Sequence, residues 1–100
     1  HGFLENVYQD ALAIEFAYLK IPYKKEVEIE IRYRDSVLNS KYRADFICYN
    51  DILVEIKALE KVGNVETSQI LNYLKATGIR RGLLINFGSD KLFYKRFVMG

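Results

Sequence analysis

Three charged side chains interrupt two apolar segments in the middle of the sequence. Asp45 lies in one of them, and Glu55 and Lys57 lie in the next, the otherwise nearly apolar stretch from Asp51 to Leu59. Burial of an unpaired charge is costly, and two neighbouring carboxylates repel each other. Stability alone therefore gives little reason for these residues, which makes them candidates for chemistry.

A divalent cation would account for two carboxylates at one place. Mg²⁺ and Mn²⁺ bind carboxylate oxygens, carbonyl oxygens and water, so the candidate ligands are Asp45, Glu55 and the main-chain carbonyl of Ile56. The Lys57 amine could then orient or deprotonate a water for attack on a phosphodiester. In the alternative interpretation, Lys57 neutralises one carboxylate in a solvent-accessible ion pair and the group has no catalytic role.

Three predicted strands bring these residues together. Strict alternation over Val27 to Tyr33 indicates the first strand, and Tyr42 to Tyr49 and Ile52 to Leu59 form a hairpin around a tight turn at residues 50 and 51. Glu55 and Lys57 share a face, because side chains alternate along a strand. If paired residue numbers in this hairpin sum to about 101, Asp45 lies close to both.

Two predicted helices flank the strands. The first covers Leu4 to Lys20, and the second runs from near Asn64 through Thr77 and stops at Gly78. Apolar spacings of three and four, at Leu4, Val7, Ala11, Ile14 and Tyr18, indicate the first helix. Its broad inward arc contains Leu4, Tyr8, Leu12 and Leu19 together with Glu5 and Glu15. For Glu15 we favour a structural role, in which it reaches the rim of the core or accepts a hydrogen bond.

Turn residues and two further strands complete the predicted order. Asp35 to Ser40 should form the first turn, and the last two strands are Gly82 to Phe87 and Leu92 to Val98. The resulting order, αβββαββ, predicts a mixed α/β domain.

Composition limits the class of protein. One hundred residues, 50% apolar and 28% charged, are typical of one soluble globular domain over residues 1–100. A net charge of +2 does not by itself indicate a polyanion partner. We expect the single cysteine, Cys48, to be a core residue, and a lone cysteine favours a reducing, cytoplasmic location. No apolar stretch has the length of a membrane span. We assign no metal role to His1.

The spacing of Asp45 and the Glu55-Ile56-Lys57 triplet resembles the D-x(n)-E-x-K signature of the PD-(D/E)xK nuclease superfamily. The opening Gly2-Phe-Leu-Glu5-Asn-Val-Tyr8 is similar to the motif of the bacterial GxxExxY proteins, a family of that superfamily. Its other motifs are matched in order by residues 42–45, 55–58, 69–74 and 82–88. That family has a further helical stretch before the position of Gly2, so we expect this sequence to lack an upstream helical segment.

The resemblance implies a restriction-endonuclease-like fold, an αβββαβ core in which helices flank a mixed central sheet. It also implies a Mg²⁺- or Mn²⁺-dependent nuclease that cuts DNA. Glu5 matches a first-helix glutamate that lies beside the metal in the exonuclease branch of the superfamily, and Gln69 and Tyr73 match its Q-x-x-x-Y motif at the border of the active site. For Tyr73, a purely structural role as a core aromatic residue stays open.

The partner is therefore expected to be nucleic acid, with DNA favoured and no membrane involved. Lysines and arginines alternate with aromatic residues at 23–25, 32–34, 42–43 and 94–97, a pattern suited either to phosphates and bases or to solvated strand edges. The alternative function is a weakly active or inactive nuclease-fold module that binds nucleic acid or a protein partner. A homodimer also stays open.

Overall fold

The computed structural model describes residues 2–100, which form two helices and five strands. The prediction for His1 concerns a residue outside that range. Neither helix of the described residues has the length and apolar character needed to cross a membrane. The elements are α1 (Gly2–Tyr18), β1 (Tyr23–Tyr33), β2 (Ser36–Cys48), β3 (Ile52–Lys57), α2 (Asn64–Thr77), β4 (Arg81–Asn86) and β5 (Phe93–Val98).

The strands form one mixed sheet in the order β1-β2-β3-β4-β5. The first three strands are antiparallel neighbours, β3 and β4 are parallel, and β5 returns antiparallel to β4. The parallel pair requires a crossover connection, and α2 supplies it. Ile70 and Leu74 of α2 pack on one face of the sheet, and Phe16 of α1 packs on the other. The predicted element order and the α/β class are confirmed.

Helix α2 begins and ends at the predicted residues because its boundaries are encoded locally. At its start, the Gly63 N–H donates to Glu66 Oε1 at 2.7 Å. At its end, Gly78 adopts the left-handed conformation with φ 75° and donates its N–H to the Leu74 carbonyl at 2.9 Å. Glycine adopts this conformation without the steric penalty of a Cβ.

The first hairpin is longer than predicted. β1 begins at Tyr23, and β2 begins at Ser36, so the turn is confined to residues 34 and 35. The predicted turn over residues 35–40 is therefore wrong. The reason is that β2 already pairs with β1 at Ser36, Val37 and Lys41, although residues 36–41 are all solvent-exposed, so no burial pattern marks them as strand.

The predicted inward arc of α1 is partly wrong. Tyr8 and Leu12 pack against the sheet as predicted, but Leu4 and Leu19 are 54% and 58% exposed, and Glu15 is exposed as well. The helix carries apolar residues on two sides, so their spacing fits more than one face. Aromatic contacts decide which face is buried: the Phe16 ring lies 5.1 Å from the Phe46 ring, and the Tyr8 ring stacks on the Phe87 ring at 4.5 Å.

At one point along the pairing of β1 and β2, the alternation of side chains between the two faces of the sheet is interrupted in both strands. Lys25 bonds to Asp10 of α1, whereas Val27, two residues later, packs in the α2 cluster. In β2, Ala44 packs in the α2 cluster and Phe46 packs in the α1 cluster. The intervening residues, Glu26 with φ 53° and Asp45, are absent from the regular pairing. This paired irregularity releases Asp45 from the sheet ladder.

Candidate functional site

Asp45 and Glu55 meet where β2 and β3 stop pairing. Regular pairs end at Phe46 and Val54, so paired numbers sum to 100, one less than predicted. Beyond that pair, side chains replace ladder bonds: the Ile56 N–H donates to Asp45 Oδ2 at 2.7 Å, and the Asp45 N–H donates to Glu55 Oε1 at 3.2 Å. The structure thus brings together the two carboxylates that the sequence analysis paired.

The Glu55 carboxyl is buried, with only 4% of the residue exposed. Burial, and secondarily the nearby Asp45 carboxylate, raise its pKa to about 9, although the Asp45 N–H and the Lys57 ammonium act in the opposite direction. Glu55 is therefore protonated at neutral pH unless a cation takes the place of the proton. A hard divalent cation fits this donor set of two acidic side chains and adjacent main-chain oxygen.

Lys57 does not form the ion pair of the alternative interpretation. The four salt bridges among residues 2–100 involve neither Lys57 nor the two carboxylates. Lys57 is half-buried and follows Glu55 by two residues in β3, so both side chains leave the same face. Its ammonium is therefore near Glu55 without being bound to it.

Glu5 is half-buried on α1, one turn before Gln9. Residues 2–100 contain no group of three or more His, Cys, Asp or Glu side chains placed to share a metal. Glu5 therefore does not complete a three-carboxylate cluster here, and a contribution through water stays a prediction.

One residue of the arrangement was missed from the sequence. Gln9, one turn after Glu5, is only 7% exposed and donates from Nε2 to Asp45 Oδ1 at 3.0 Å. Its position on the same arc as Tyr8, Leu12 and Phe16 was the available signal, because a polar residue on a buried face needs a partner.

Gln69 and Tyr73 form a direct pair on α2. Gln69 Nε2 donates to the Tyr73 hydroxyl at 2.9 Å. Tyr73 is buried, and burial, followed by the charges of Glu55 and Asp45, raises the pKa of its hydroxyl. The influence of both carboxylates indicates that the hydroxyl lies on the α2 side of the acidic pair. Tyr73 also packs against Tyr42 of β2, with ring centroids 4.7 Å apart. Its role as a core aromatic residue is thus confirmed, and its role at the site stays a prediction.

A buried asparagine fixes the chain that follows β3. Asn86 Oδ1 accepts from the Leu59 N–H and Nδ2 donates to the Leu59 carbonyl, both at 2.8 Å. Gly88, two residues after Asn86, packs so close to the same segment that a Cβ there would lie 2.3 Å from the Leu59 nitrogen. These contacts fasten the segment just beyond Lys57 to the end of β4.

Several of the basic residues near aromatic rings have acidic neighbours. Lys25 contacts Asp10 at 2.7 Å and Arg43 contacts Glu26 at 3.5 Å. Cys48 is buried, as predicted, and burial raises the pKa of its thiol. Neither the paired basic residues nor the cysteine belongs to the acidic site.

The sequence model of the PD-(D/E)XK nuclease superfamily matches residues 1–97, which include every candidate site residue. The chain belongs to the PD-(D/E)XK nuclease superfamily. The superfamily is one of nucleases, and these generally use divalent metals. No curated protein matches the chain.

Two solved structures share the fold. A protein titled SSO0001 is 22% identical, with a TM-score of 0.74, over 96% of this chain and 50% of its own. An alkaline exonuclease (LHK-Exo) from Laribacter hongkongensis is 13% identical, with a TM-score of 0.67, over 95% of this chain and 56% of its own. The chain thus spans about half the length of these two proteins. The predicted restriction-endonuclease-like fold is confirmed.

Proposed function

We propose that this domain is a divalent-metal-dependent nuclease that hydrolyses phosphodiester bonds in DNA. The single observation that carries the proposal is the buried Glu55 carboxyl beside Asp45, with no salt bridge to either acid among residues 2–100. Such a pair is unfavourable without a cation and is an efficient ligand pair with one.

The proposed ligands of Mg²⁺ or Mn²⁺ are the Asp45 and Glu55 carboxylates and the Ile56 carbonyl, with Glu5 contributing through water. The bound ion would polarise the scissile phosphate and lower the pKa of a coordinated water. Lys57, on the same face of β3, would hold the attacking water by a hydrogen bond and neutralise charge on the phosphate oxygens.

Gln69 and Tyr73 would help to position the substrate. Because Gln69 donates to the Tyr73 oxygen, the Tyr73 hydroxyl hydrogen is left to donate elsewhere. A phosphate oxygen beside Glu55 would be a suitable acceptor. The pair would thereby orient the phosphodiester relative to Lys57.

A groove along α2 supports nucleic acid as the substrate. A cavity of about 500 Å³ is lined by residues that include Tyr42, Gln69 and Tyr73. A second cavity, of about 430 Å³, shares Tyr42 and Asn72 with it and is also lined by Lys75. In the proposed complex, Tyr42 stacks on a base and Lys75 contacts a phosphate, which are the interactions that bind single strands without strong sequence preference.

Assignment to the GxxExxY proteins is part of the proposal. Tyr8 of the matching motif stacks on Phe87 with an angle of 6° between ring planes, and it thereby fixes the helix that carries Glu5 and Gln9. The buried thiol of Cys48 supports the proposed cytoplasmic location, because a lone reduced cysteine is typical of reducing compartments.

A cleavage assay tests the function. Labelled single- and double-stranded DNA and RNA are incubated with Mg²⁺, Mn²⁺ or chelator, and Mn²⁺ binding is measured by calorimetry. We expect metal-dependent cleavage of DNA that is lost in Asp45→Ala and Lys57→Ala, with metal binding lost only in Asp45→Ala. Lys61→Ala, which changes an exposed lysine beyond β3, is the matched control. Metal binding without cleavage of any substrate would favour the binding-module alternative, and absence of both would overturn the proposal.

A further inference from the structure

Gln9 is a polar residue on the buried side of α1. Its neighbours on that side, Tyr8, Leu12 and Phe16, pack against the sheet. The Gln9 side chain instead reaches Asp45, with its Nε2 3.0 Å from Oδ1. Because burial of an unsatisfied amide is unfavourable, the contact holds both partners in place.

The Asp45 carboxylate is consequently held from two elements. The Ile56 N–H of β3 binds Oδ2 at 2.7 Å, and Gln9 of α1 binds Oδ1. The Asp45 main chain lies outside the regular pairing with β1, and its own N–H binds Glu55 rather than a main-chain carbonyl. Removal of the Gln9 contact would leave Oδ1 without its protein donor and the carboxylate freer to rotate.

We propose that Gln9 is a positioning residue that orients the Asp45 carboxylate for a divalent cation. This inference rests on the proposed function. The chemistry of the side chain suits the role, because a neutral amide supplies a hydrogen-bond donor without placing a positive charge beside a cation. A lysine or arginine would compete with the metal for the carboxylate.

The test compares Gln9→Met with the unmodified domain. Methionine keeps the unbranched shape and removes the N–H donor. We expect the dissociation constant for Mn²⁺, measured by calorimetry, to rise about tenfold or more, the usual range when a residue that orients a metal ligand is lost. Stability in chelator, measured by urea unfolding, should change little, since methionine fits an apolar helix face.

Two further variants separate positioning from packing. Leu12→Ala removes apolar contact from the same side of α1 without touching Asp45, so it should lower stability in chelator and leave the Mn²⁺ affinity of the folded domain unchanged. Gln9→His restores a ring N–H donor and should recover part of the affinity lost in Gln9→Met. If Gln9→Met fails to fold, Gln9→His supplies the comparison, with affinity within about threefold of the unmodified domain expected.

The possible results are distinct. An unmodified domain that binds no Mn²⁺ would refute the proposed metal site, and the inference about Gln9 with it. Normal binding in the unmodified domain together with unchanged affinity in Gln9→Met would overturn the role of Gln9 alone. Equal losses of affinity in Gln9→Met and Leu12→Ala would also overturn it, since general packing of α1 would then explain the effect.

Discussion

Replacement of Glu55 by glutamine should stabilise the domain at neutral pH when no metal is bound. In the folded chain the carboxyl has a pKa of about 9, against an ordinary value of 4.5. Between these values the folded state keeps a proton that the unfolded state releases. The unmodified domain therefore loses stability as pH rises through this range, by about 1.4 kcal/mol per pH unit.

Glutamine resembles the protonated carboxyl and does not titrate, so Glu55→Gln should escape this loss. The gain in the free energy of unfolding is near zero at pH 4.5, the ordinary pKa of the carboxyl. At pH 7, which is 2.5 pH units higher, the gain reaches about 3 kcal/mol. For a domain of this size, that difference corresponds to a rise of about 10 °C or more in the melting temperature. The glutamine oxygen can still accept from the Asp45 N–H, so the local hydrogen bond need not be lost.

Urea unfolding in chelator at pH 5, 6, 7 and 8, followed by circular dichroism, measures the effect. Glu28→Gln on the exposed side of β1 is the control, and its stability difference should stay small at each pH. Added Mn²⁺ should stabilise the unmodified domain and not Glu55→Gln. A Glu55→Gln variant that is less stable at pH 7, or a difference that does not grow with pH, would refute this account of the buried carboxyl.

Three further results are expected. Mn²⁺ binding at pH 7 should release about one proton and tighten about tenfold per pH unit until Glu55 is ionised near pH 9, as calorimetry in two buffers of different ionisation enthalpy would reveal. Gly88→Ala should destabilise the fold in urea unfolding by more than about 2 kcal/mol, because its Cβ would clash with Leu59, whereas Gly63→Ala, with its nearest atom at 3.7 Å, should cost under about 1 kcal/mol. Tyr42→Ala should weaken binding of a single-stranded oligonucleotide about tenfold in fluorescence anisotropy, and unchanged affinity would remove the groove from the proposal.

The parts of the fold encoded by local signals were predictable from the sequence. Helix α2 ends at Gly78 because the left-handed conformation favours glycine, and β3 was recognisable because its apolar residues cover both faces. The meeting of Asp45 and Glu55 followed from the tight turn that joins β2 to β3. In each case a few neighbouring residues carry the information.

The parts that depend on distant contacts were not predictable in the same way. The face of α1 is decided by aromatic packing of Phe16 on Phe46, and the helix sequence by itself permits another face. Gln9 became a site residue only when that face was known. The positive φ of Glu26 has no local signal, because glutamate rarely adopts this conformation and does so here opposite Asp45.

The paired irregularity at Glu26 and Asp45 has a consequence for how this hairpin can change in evolution. The numbers of the paired residues sum to 71 on both sides of the irregularity, at the Lys25 and Phe46 pair and at the Val27 and Ala44 pair. The extra residue in one strand is therefore matched by an extra residue in the other, and the register is unchanged. Asp45 thus enters β2 as an insertion whose displacement Glu26 cancels in β1. A lineage that lost one of the two residues alone would carry a one-residue offset through the rest of the hairpin. In an alignment of relatives, we therefore expect a gap at either position to be accompanied by a gap at the other.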